Sequence, residues 1–426
     1  MATENPRVWF KSISLENVRS FGTKQTINFT DKEGNAARWN VILGDNGTGK
    51  TTVLKGLAYC FSKGIGEYEY LNQFNRTENI NSQFFYTEEV NRDTITINNV
   101  NSATVYSSND SEKQTGHLKI LGVNTGSDYN KTLFAYGATR RVGHSAISRV
   151  TNSYTSNLFD ENNSLINPEE WLIQTDYLRL KDDSYEKKYN TVYRIIETLF
   201  QSEAPGGLMI DTSSGAPQVK LCTHYGDVRL HELSLGYKTL IAWMVDFAKG
   251  LLDRYPDSPN PLAEPAVCLV DEIDLHLHPK FQRTIIQFLT ETFPNTQFIV
   301  TAHSPLIVLA AEERPLDANI ILLKREGDHT VVVNDPVDVG KWSVDQILNS
   351  DLFGYVPPAS EPLTELRVER DALLAKPTLE KNEQDRLAQL DEKIGFIPFG
   401  NNQNEIKAET IIQQLANALR SQQEAQ

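Results

Sequence analysis

The sequence Gly44-Asp45-Asn46-Gly47-Thr48-Gly49-Lys50-Thr51-Thr52 lies near the start of this chain of 426 residues. It fits the pattern G-x-x-x-x-G-K-T, whose glycines let backbone N–H groups curl around a polyphosphate. Lys50 is suited to the β- and γ-phosphates, and the Thr51 hydroxyl is suited to a Mg²⁺ ligand. The stretch therefore predicts a nucleotide-binding loop in which all nine residues are candidate contacts.

The flanks of the loop agree with this prediction. Residues 39–43 form a short apolar run typical of a buried strand, and residues 52–58 have the composition of a helix. A helix that begins directly after the loop points its N-terminal N–H groups at a bound anion. Strand, loop and helix together predict an α/β fold.

Composition and charge narrow the functional classes. No run approaches the ~20 apolar residues that span a bilayer, so we expect no membrane association. The three cysteines, Cys60, Cys222 and Cys268, are far apart, which favours a reduced cytoplasm over a disulfide framework. The net charge of −15 opposes general coating of nucleic acid. Any DNA contact must come from a local basic patch, for which Arg140-Arg141 and Arg149 are candidates, or these residues form a solvated loop.

A second chemical motif lies far along the chain. Residues 266–270 read as a buried strand that ends in Asp271 and Glu272. A parallel strand beside the phosphate loop delivers such acids to a metal, so Asp271 is predicted to hold Mg²⁺ and Glu272 to act as general base on water. The alternative is that the two acids only cap the following segment.

A histidine follows another predicted core strand. Residues 297–301 form an apolar run, and His303 comes two residues later. A histidine at this place could simply satisfy a turn. Because the strand is expected in the same sheet as the phosphate loop, we predict instead that His303 contacts the γ-phosphate.

These motifs occur in a particular order along the chain: the phosphate loop, residues 233–237 (Leu-Ser-Leu-Gly-Tyr), residues 270–272 and His303. The set resembles the ATP-binding-cassette ATPase superfamily, in its branch of RecF, SMC-like and OLD-type ATPases. Residues 17–21 and 273–279 look like the N-terminal loop and D-loop of that branch. The layout is most similar to compact ATPases of bacterial anti-phage defence systems, such as PtuA of Septu and AriA of PARIS.

The resemblance implies a fold and a division of the chain. The fold class is α/β, an ATPase head with a small antiparallel β lobe, a helical signature lobe and a C-terminal helical hairpin. The implied divisions are residues 1–150 for the first half of the head, 151–230 for the helical lobe, 231–350 for the second half of the head, and 351–426 for the hairpin and tail.

The resemblance also assigns ligands and site residues. ATP and Mg²⁺ are the implied cofactor set, with Ser234 and Gly236 meeting the γ-phosphate held by the opposite subunit. Residues 233–237 correspond to the family's signature sequence. Leu235 and Tyr237 depart from the Gly and Gln that are usual at those two places in the signature. Arg19 and Phe21 are candidates for base or phosphate contact, or they simply close a turn. Residues 136–141 are the candidate counterpart of the family's Gln-containing loop.

Two functions remain open at the level of sequence. The first is an ATP-driven switch that forms homo-oligomers built from ATP-bridged dimers and controls a nuclease subunit of HNH or Toprim type in phage defence. The second is an autonomous RecF-like repair ATPase that clamps DNA. Residues 325–328 (Arg-Glu-Gly-Asp) look superficially like the start of a Toprim motif, but they lie between two predicted strands and are expected to form a turn.

Overall fold

The computed structural model describes residues 9–16, 18–59, 83–91, 96–104, 117–122, 133–143, 154–213, 215–313, 318–334, 336–357, 360–376 and 380–394, with 407, 411 and 412. The chain divides into two compact units, Met1–Ile347 and Leu348–Gln426. Arg149 and Asn17, which the sequence analysis singled out, lie outside the described residues.

The described residues form fourteen strands and ten helices. In chain order the strands are β1 Phe10–Glu16, β2 Gln25–Asn28, β3 Trp39–Gly44, β4 Gln83–Asn91, β5 Thr96–Thr104, β6 His117–Gly122, β7 Leu133–Tyr136, β8 Leu208–Asp211, β9 Gln218–Thr223, β10 Gly226–Arg229, β11 Ala266–Val270, β12 Thr296–Thr301, β13 Ala318–Glu326 and β14 His329–Val333. The helices are α1 Lys50–Tyr59, α2 Ser156–Phe159, α3 Pro168–Arg179, α4 Ser184–Leu199, α5 Leu235–Arg254, α6 Pro279–Thr292, α7 Pro305–Glu312, α8 Val344–Leu348, α9 Glu361–Leu374 and α10 Lys381–Ile394.

A six-stranded sheet in the order β14-β13-β3-β12-β11-β7 carries the site. Every neighbouring pair is parallel except β13 and β14, which form a hairpin. All residues of β7, β11 and β12 are buried, as expected for parallel strands covered on both faces. The predicted α/β fold is confirmed. The sheet is mainly parallel, and the carboxyl ends of β3, β11 and β12 meet at one edge.

A smaller antiparallel sheet, in the order β2-β1-β6, packs with helix α1. Ile13, Leu15, Ile27 and Phe29 from β1, β2 and the residue after it join Leu57 of α1 in one buried cluster. A separate two-stranded ribbon pairs β4 with β5. The predicted antiparallel β lobe thus exists, and its buried face fixes the helix that follows the phosphate loop.

The segment before the signature is helical in two pieces. Asn167 caps α3 by accepting from Glu169 N–H at 3.0 Å, with Pro168 at the first helical position. The structure ends α3 at Arg179 and begins α4 at Ser184 because the Asp182 carboxylate accepts from Ser184 N–H, a local bond that competes with the helix.

The signature helix α5 is a core element. Fourteen of its twenty residues are buried, so the helix is apolar nearly all round. It is preceded by the antiparallel sheet β10-β9-β8.

The unit Leu348–Gln426 contains the helical pair α9 and α10. The Arg386 guanidinium donates twice to the Glu369 carboxylate, at 2.7 Å from both Nε and a terminal nitrogen. This bidentate pair and the buried Leu390 join the two helices, as the predicted hairpin requires.

Candidate functional site

Two glycines of the phosphate loop occupy positions that no other residue would fit. Gly44 has φ 144°, and a Cβ there would lie 2.4 Å from the Leu323 carbonyl oxygen. Gly49 has φ 94°, and a Cβ there would lie 2.5 Å from Ser20 Oγ. The loop is therefore pressed between β13 and the turn at residues 18–21, which leaves its backbone in a fixed curl.

Lys50 is held inside this curl. Its ammonium donates to the carbonyl oxygens of Gly44 at 2.7 Å and Asp45 at 3.0 Å. Burial lowers the pKa of Lys50 from its usual value, and the nearby Asp271 and Glu272 carboxylates oppose that shift. The side chain is thus a preorganised cation at the place where a polyphosphate would bind.

Hydrogen bonds from two threonines hold the Asp271 carboxylate, and a third bond fixes its backbone. One oxygen accepts from Thr51 Oγ1 at 2.7 Å and the other from Thr301 Oγ1 at 2.6 Å. The Asp271 amide donates to the Tyr136 carbonyl oxygen, so β7 fixes its backbone. A hydroxyl and a carboxylate in contact supply the hard oxygen donors that Mg²⁺ prefers, and the pair Thr51 and Asp271 fits that ion.

The Glu272 backbone is strained. Its φ of 49° lies in the left-handed region, which costs a non-glycine residue roughly 1–3 kcal/mol. Two bonds maintain it: Glu272 N–H donates to Thr301 Oγ1 at 2.7 Å, and an Arg140 guanidinium nitrogen donates to the Glu272 carbonyl oxygen at 2.8 Å. The fold thus holds Glu272 in a fixed orientation at a local cost in stability, as is common at functional sites.

Arg140 corrects one expectation from the sequence. A nucleic-acid patch or a solvated basic loop requires an exposed side chain, but only 2% of Arg140 is exposed. Burial lowers its pKa to about 10, against the opposing effect of Asp271 and Glu272. Because the guanidinium is enclosed beneath the two acids, Arg140 cannot belong to a surface patch, whereas Arg141 is exposed.

His303 lies at the same sheet edge. Its amide donates to an Asp274 carboxylate oxygen at 3.0 Å, and Ile273 N–H donates to the Thr301 carbonyl oxygen. These bonds tie the segment after β12 to the segment after β11. The histidine is thereby placed beside the two acids, as its predicted γ-phosphate contact requires.

An open cavity of about 600 Å³ unites these groups. Its walls are Arg19, Ser20, Asn46, Gly47, Gly49, Lys50, Thr51, Thr52, Asp271, Glu272, His303, Arg325 and Asp328. Three residues of the loop do not line the cavity: Gly44, Asp45 and Thr48. The carbonyl oxygens of Gly44 and Asp45 accept from Lys50, and the Thr48 side chain is buried.

The two candidate contact residues of the N-terminal turn, Arg19 and Phe21, have different surroundings in the structure. Arg19, with φ 47°, lines the cavity. Phe21 is fully buried, and its ring packs beneath Gly49, where an added Cβ would lie 2.8 Å from it. Of the alternatives left open for Phe21, the structure favours the one in which the ring closes the turn.

The signature residues lie away from this chain's own cavity. Ser234 is exposed at the N-cap of α5 and makes no capping bond with its side chain, and it does not line the cavity. Gly236 packs on the D-loop, since a Cβ there would lie 2.1 Å from the His276 carbonyl oxygen. His278 accepts from Lys280 N–H and so caps α6.

Sequence reasoning missed four contributors to the site. Thr301, Ser20, Arg325 and Asp328 were not predicted as site residues, although they bond to or line the cavity walls. Thr301 could have been found from its place at the end of a strand beside the acids. Arg325 and Asp328 had no such signal, because a charged turn between two strands is ordinary on a surface.

Comparison with known proteins identifies the family of this chain. Residues 39–310, more than half of the chain, match the model of a family described as "AAA domain, putative AbiEii toxin, Type IV TA system". The chain belongs to this family. The matched range begins at β3 and includes the phosphate loop, the signature, both acids and His303.

Two curated relatives are similar over most of this chain. The Septu protein PtuA of Bacillus mycoides (strain KBAB4) is 26% identical over 404 residues, which cover 91% of this chain and 50% of PtuA. A protein named "Retron Vc95 probable ATPase" from Vibrio cholerae serotype O1 biovar El Tor is 25% identical over 382 residues, 71% of this chain and 72% of the relative. The chain thus spans only half the length of that PtuA.

A solved structure, an SMC head bound to the C-terminal winged-helix domain of ScpA, is similar over 76% of this chain and 97% of its own. Its sequence identity is 14% and its TM-score 0.45.

In the part of the chain that the structure describes, no helix has the length and apolar character needed to cross a bilayer.

The buried carboxyl group of Asp246, on the signature helix α5, leads us to predict that the stability of the folded chain depends on pH. Burial raises the pKa of Asp246 to about 6, partly opposed by the hydrogen bond that Tyr136 Oη donates at 3.0 Å. Between the ordinary pKa near 4 and this raised value, the folded chain holds a proton that the unfolded chain has released. The stability from this group is therefore full below about pH 4 and is lost as pH rises through 6.

The expected loss between pH 4.5 and 7.5 is about 2 kcal/mol. Denaturant unfolding at the two pH values measures it, with Asp246→Asn as the matched variant that keeps an acceptor for Tyr136 but cannot ionise. Wild type should lose more stability than the variant by that amount. Equal losses in the two proteins would show that Asp246 does not titrate in this way.

Proposed function

We propose that the chain is an ATP-hydrolysing switch that pairs with a second copy of itself around ATP and controls a separate effector, a nuclease, in anti-phage defence. The family membership and the relative named as an ATPase support ATP hydrolysis. The relative named as a Septu protein supports the defence role. Free thiols at Cys222 and Cys268 accord with the cytoplasm as the proposed location.

The residues at the sheet edge divide the proposed chemistry among them. Lys50 and the loop amides bind the β- and γ-phosphates, and His303 contacts the γ-phosphate from the other side. Glu272, aimed by Thr301 and Arg140, accepts a proton from the attacking water. Thr51 and Asp271 would hold Mg²⁺, which supplies positive charge to the phosphates when it is bound.

The placement of Ser234 carries the proposal of pairing. Ser234 is exposed, and its side chain makes no capping hydrogen bond. It does not line the cavity of its own chain, so its hydroxyl is available to a nucleotide held by another chain. A two-fold arrangement satisfies both chains equally, because each loop then faces the other's signature. Nucleotide that binds the paired state better shifts the population towards pairs, and hydrolysis releases them.

Mixing two inactive variants tests this arrangement. Lys50→Ala removes the loop cation, and Ser234→Arg blocks the signature. A mixed pair has one composite site with both lesions and one with neither, so we expect ATPase activity to recover on mixing towards half of the wild-type rate per mixed pair. If mixed pairs form and no activity returns, the site does not lie between chains.

The control of a nuclease is the finer part of the proposal. It depends on the resemblance to defence ATPases, and HNH and Toprim nucleases are the partner types proposed. Stoichiometric co-purification with such a nuclease would support it. The alternative, a RecF-like clamp, predicts instead tight ATP-dependent binding of DNA by the chain alone, which the exclusion of Arg140 from any surface patch disfavours.

A further inference from the structure

The hairpin β13–β14 reaches past the central sheet and over the phosphate loop. In the register of the parallel pair, Leu323 of β13 lies opposite Gly44, the last residue of β3. Strand β13 continues three residues farther, to Glu326, before the chain turns. The turn at residues 327–328 therefore stands beside the loop. Arg325, near the end of β13, and Asp328 of the turn both line the cavity.

Hydrogen bonds fix this hairpin to the loop and to the N-terminal turn. Thr330, which is fully buried, donates through its hydroxyl to the Thr48 carbonyl oxygen at 2.9 Å. Its amide donates to the Ser20 carbonyl oxygen at 2.8 Å, and Ser20 Oγ donates to Thr48 at 3.2 Å. Hairpin, turn and loop are thus one preorganised wall, so ligand contacts made there cost little ordering.

The charges on this wall indicate which part of a nucleotide it meets. A carboxylate beside a phosphate oxygen is repelled by it unless a cation lies nearby, as Lys50 and the proposed Mg²⁺ do for Asp271 and Glu272. The Asp328 carboxylate therefore marks a part of the cavity that the phosphates do not occupy. Carboxylates accept hydrogen bonds from neutral donors, such as a ribose hydroxyl or an amine on a base.

The guanidinium groups complement this acceptor. Arg325 donates through Nε to the Gly327 carbonyl oxygen at 3.3 Å, which closes the turn and orients its planar group. A planar cation of this kind stacks on aromatic faces, including those of bases. Arg19 also lines this cavity.

We infer that Arg325 and Asp328 form the nucleoside end of the ATP site, with Asp328 accepting from a neutral N–H or O–H donor of the nucleoside and Arg325 lying against the base. This inference rests on the proposed function, since it deepens the same site. It makes the β13–β14 turn a determinant of nucleotide selectivity that is separate from the phosphate-binding loop.

Calorimetric titration with ATP and with inorganic tripolyphosphate, both with Mg²⁺, tests the inference. Asp328→Ala should weaken ATP binding by about 10- to 100-fold, the loss expected for a hydrogen bond to a charged group. Arg325→Ala should weaken it by about 2- to 30-fold, the loss expected for a cation that stacks on an aromatic face. Binding of tripolyphosphate, which has no nucleoside, should be unchanged. Glu326→Ala is the matched control, because it is exposed on the same turn and does not line the cavity.

Three further ligands identify the donor that Asp328 meets. If the donor is a ribose hydroxyl, wild type should prefer ATP over 2′-deoxy-ATP or over 3′-deoxy-ATP, and Asp328→Ala should lose that preference. If it is the base amine, the same loss of preference should occur between ATP and purine riboside triphosphate. Wild type that binds all four ligands equally would overturn the role of Asp328.

Other outcomes separate the inference from the proposed function. Variants that bind ATP as wild type does, or that lose ATP and tripolyphosphate equally, would overturn the nucleoside contact and leave the ATPase proposal intact. Wild type that binds neither ligand would overturn both. Thermal unfolding of each variant shows whether the turn substitution leaves the fold unchanged.

Discussion

Replacing Glu272 by glutamine is expected to slow ATP hydrolysis by about 10²- to 10⁴-fold while ATP and Mg²⁺ still bind. Glutamine keeps the size of the side chain but cannot accept a proton from water. The bonds that hold this position, from Thr301 and Arg140, use only backbone atoms of Glu272 and persist in the variant. Phosphate release at saturating ATP measures the rate, and calorimetry measures the binding.

Glu313→Gln provides the matched control, since Glu313 is an exposed glutamate that pairs with Arg283 on the surface. That change should leave the rate within about twofold of wild type, because surface substitutions away from a site have small effects. A Glu272→Gln protein that hydrolyses ATP at the wild-type rate would show that another group accepts the proton.

Removal of the loop cation should have the second large effect. Lys50→Ala is expected to weaken ATP binding by about 10- to 100-fold, since a charge-assisted bond to phosphate contributes about 1.5–3 kcal/mol. The variant also leaves the Gly44 and Asp45 carbonyls without the donor that holds the curl of the loop. Titration of wild type and variant with ATP in the presence of Mg²⁺ measures the difference.

Lys55→Ala controls for loss of a lysine from the same helix. Lys55 lies on α1 like Lys50, and burial lowers its pKa as well, but it does not line the cavity. Its substitution should change ATP affinity by no more than about twofold. Equal losses in the two variants would mean that helix α1 as a whole, rather than the Lys50 ammonium, determines binding.

The sequence by itself determined the local parts of this site. The phosphate loop between β3 and α1, and the acids directly after β11, depend on residues close together in the chain, so their spacing predicts their structure. The apolar run before the two acids was likewise expected to form a buried strand that runs parallel beside the phosphate loop. Because the strands that precede Lys50, Asp271 and His303 were expected in one sheet, the sequence predicts that these three residues lie at one edge of it.

Only the tertiary structure decided how these parts are held. The bond from Arg140 to the Glu272 carbonyl joins residues 132 positions apart, and that from Thr330 to Thr48 joins residues 282 apart. No spacing in the sequence records such contacts, because they depend on strand order and register. For the same reason the sequence left Arg140 in a surface loop and Phe21 open to a nucleotide contact. Packing of distant segments buries the first beneath the acids and the second beneath Gly49.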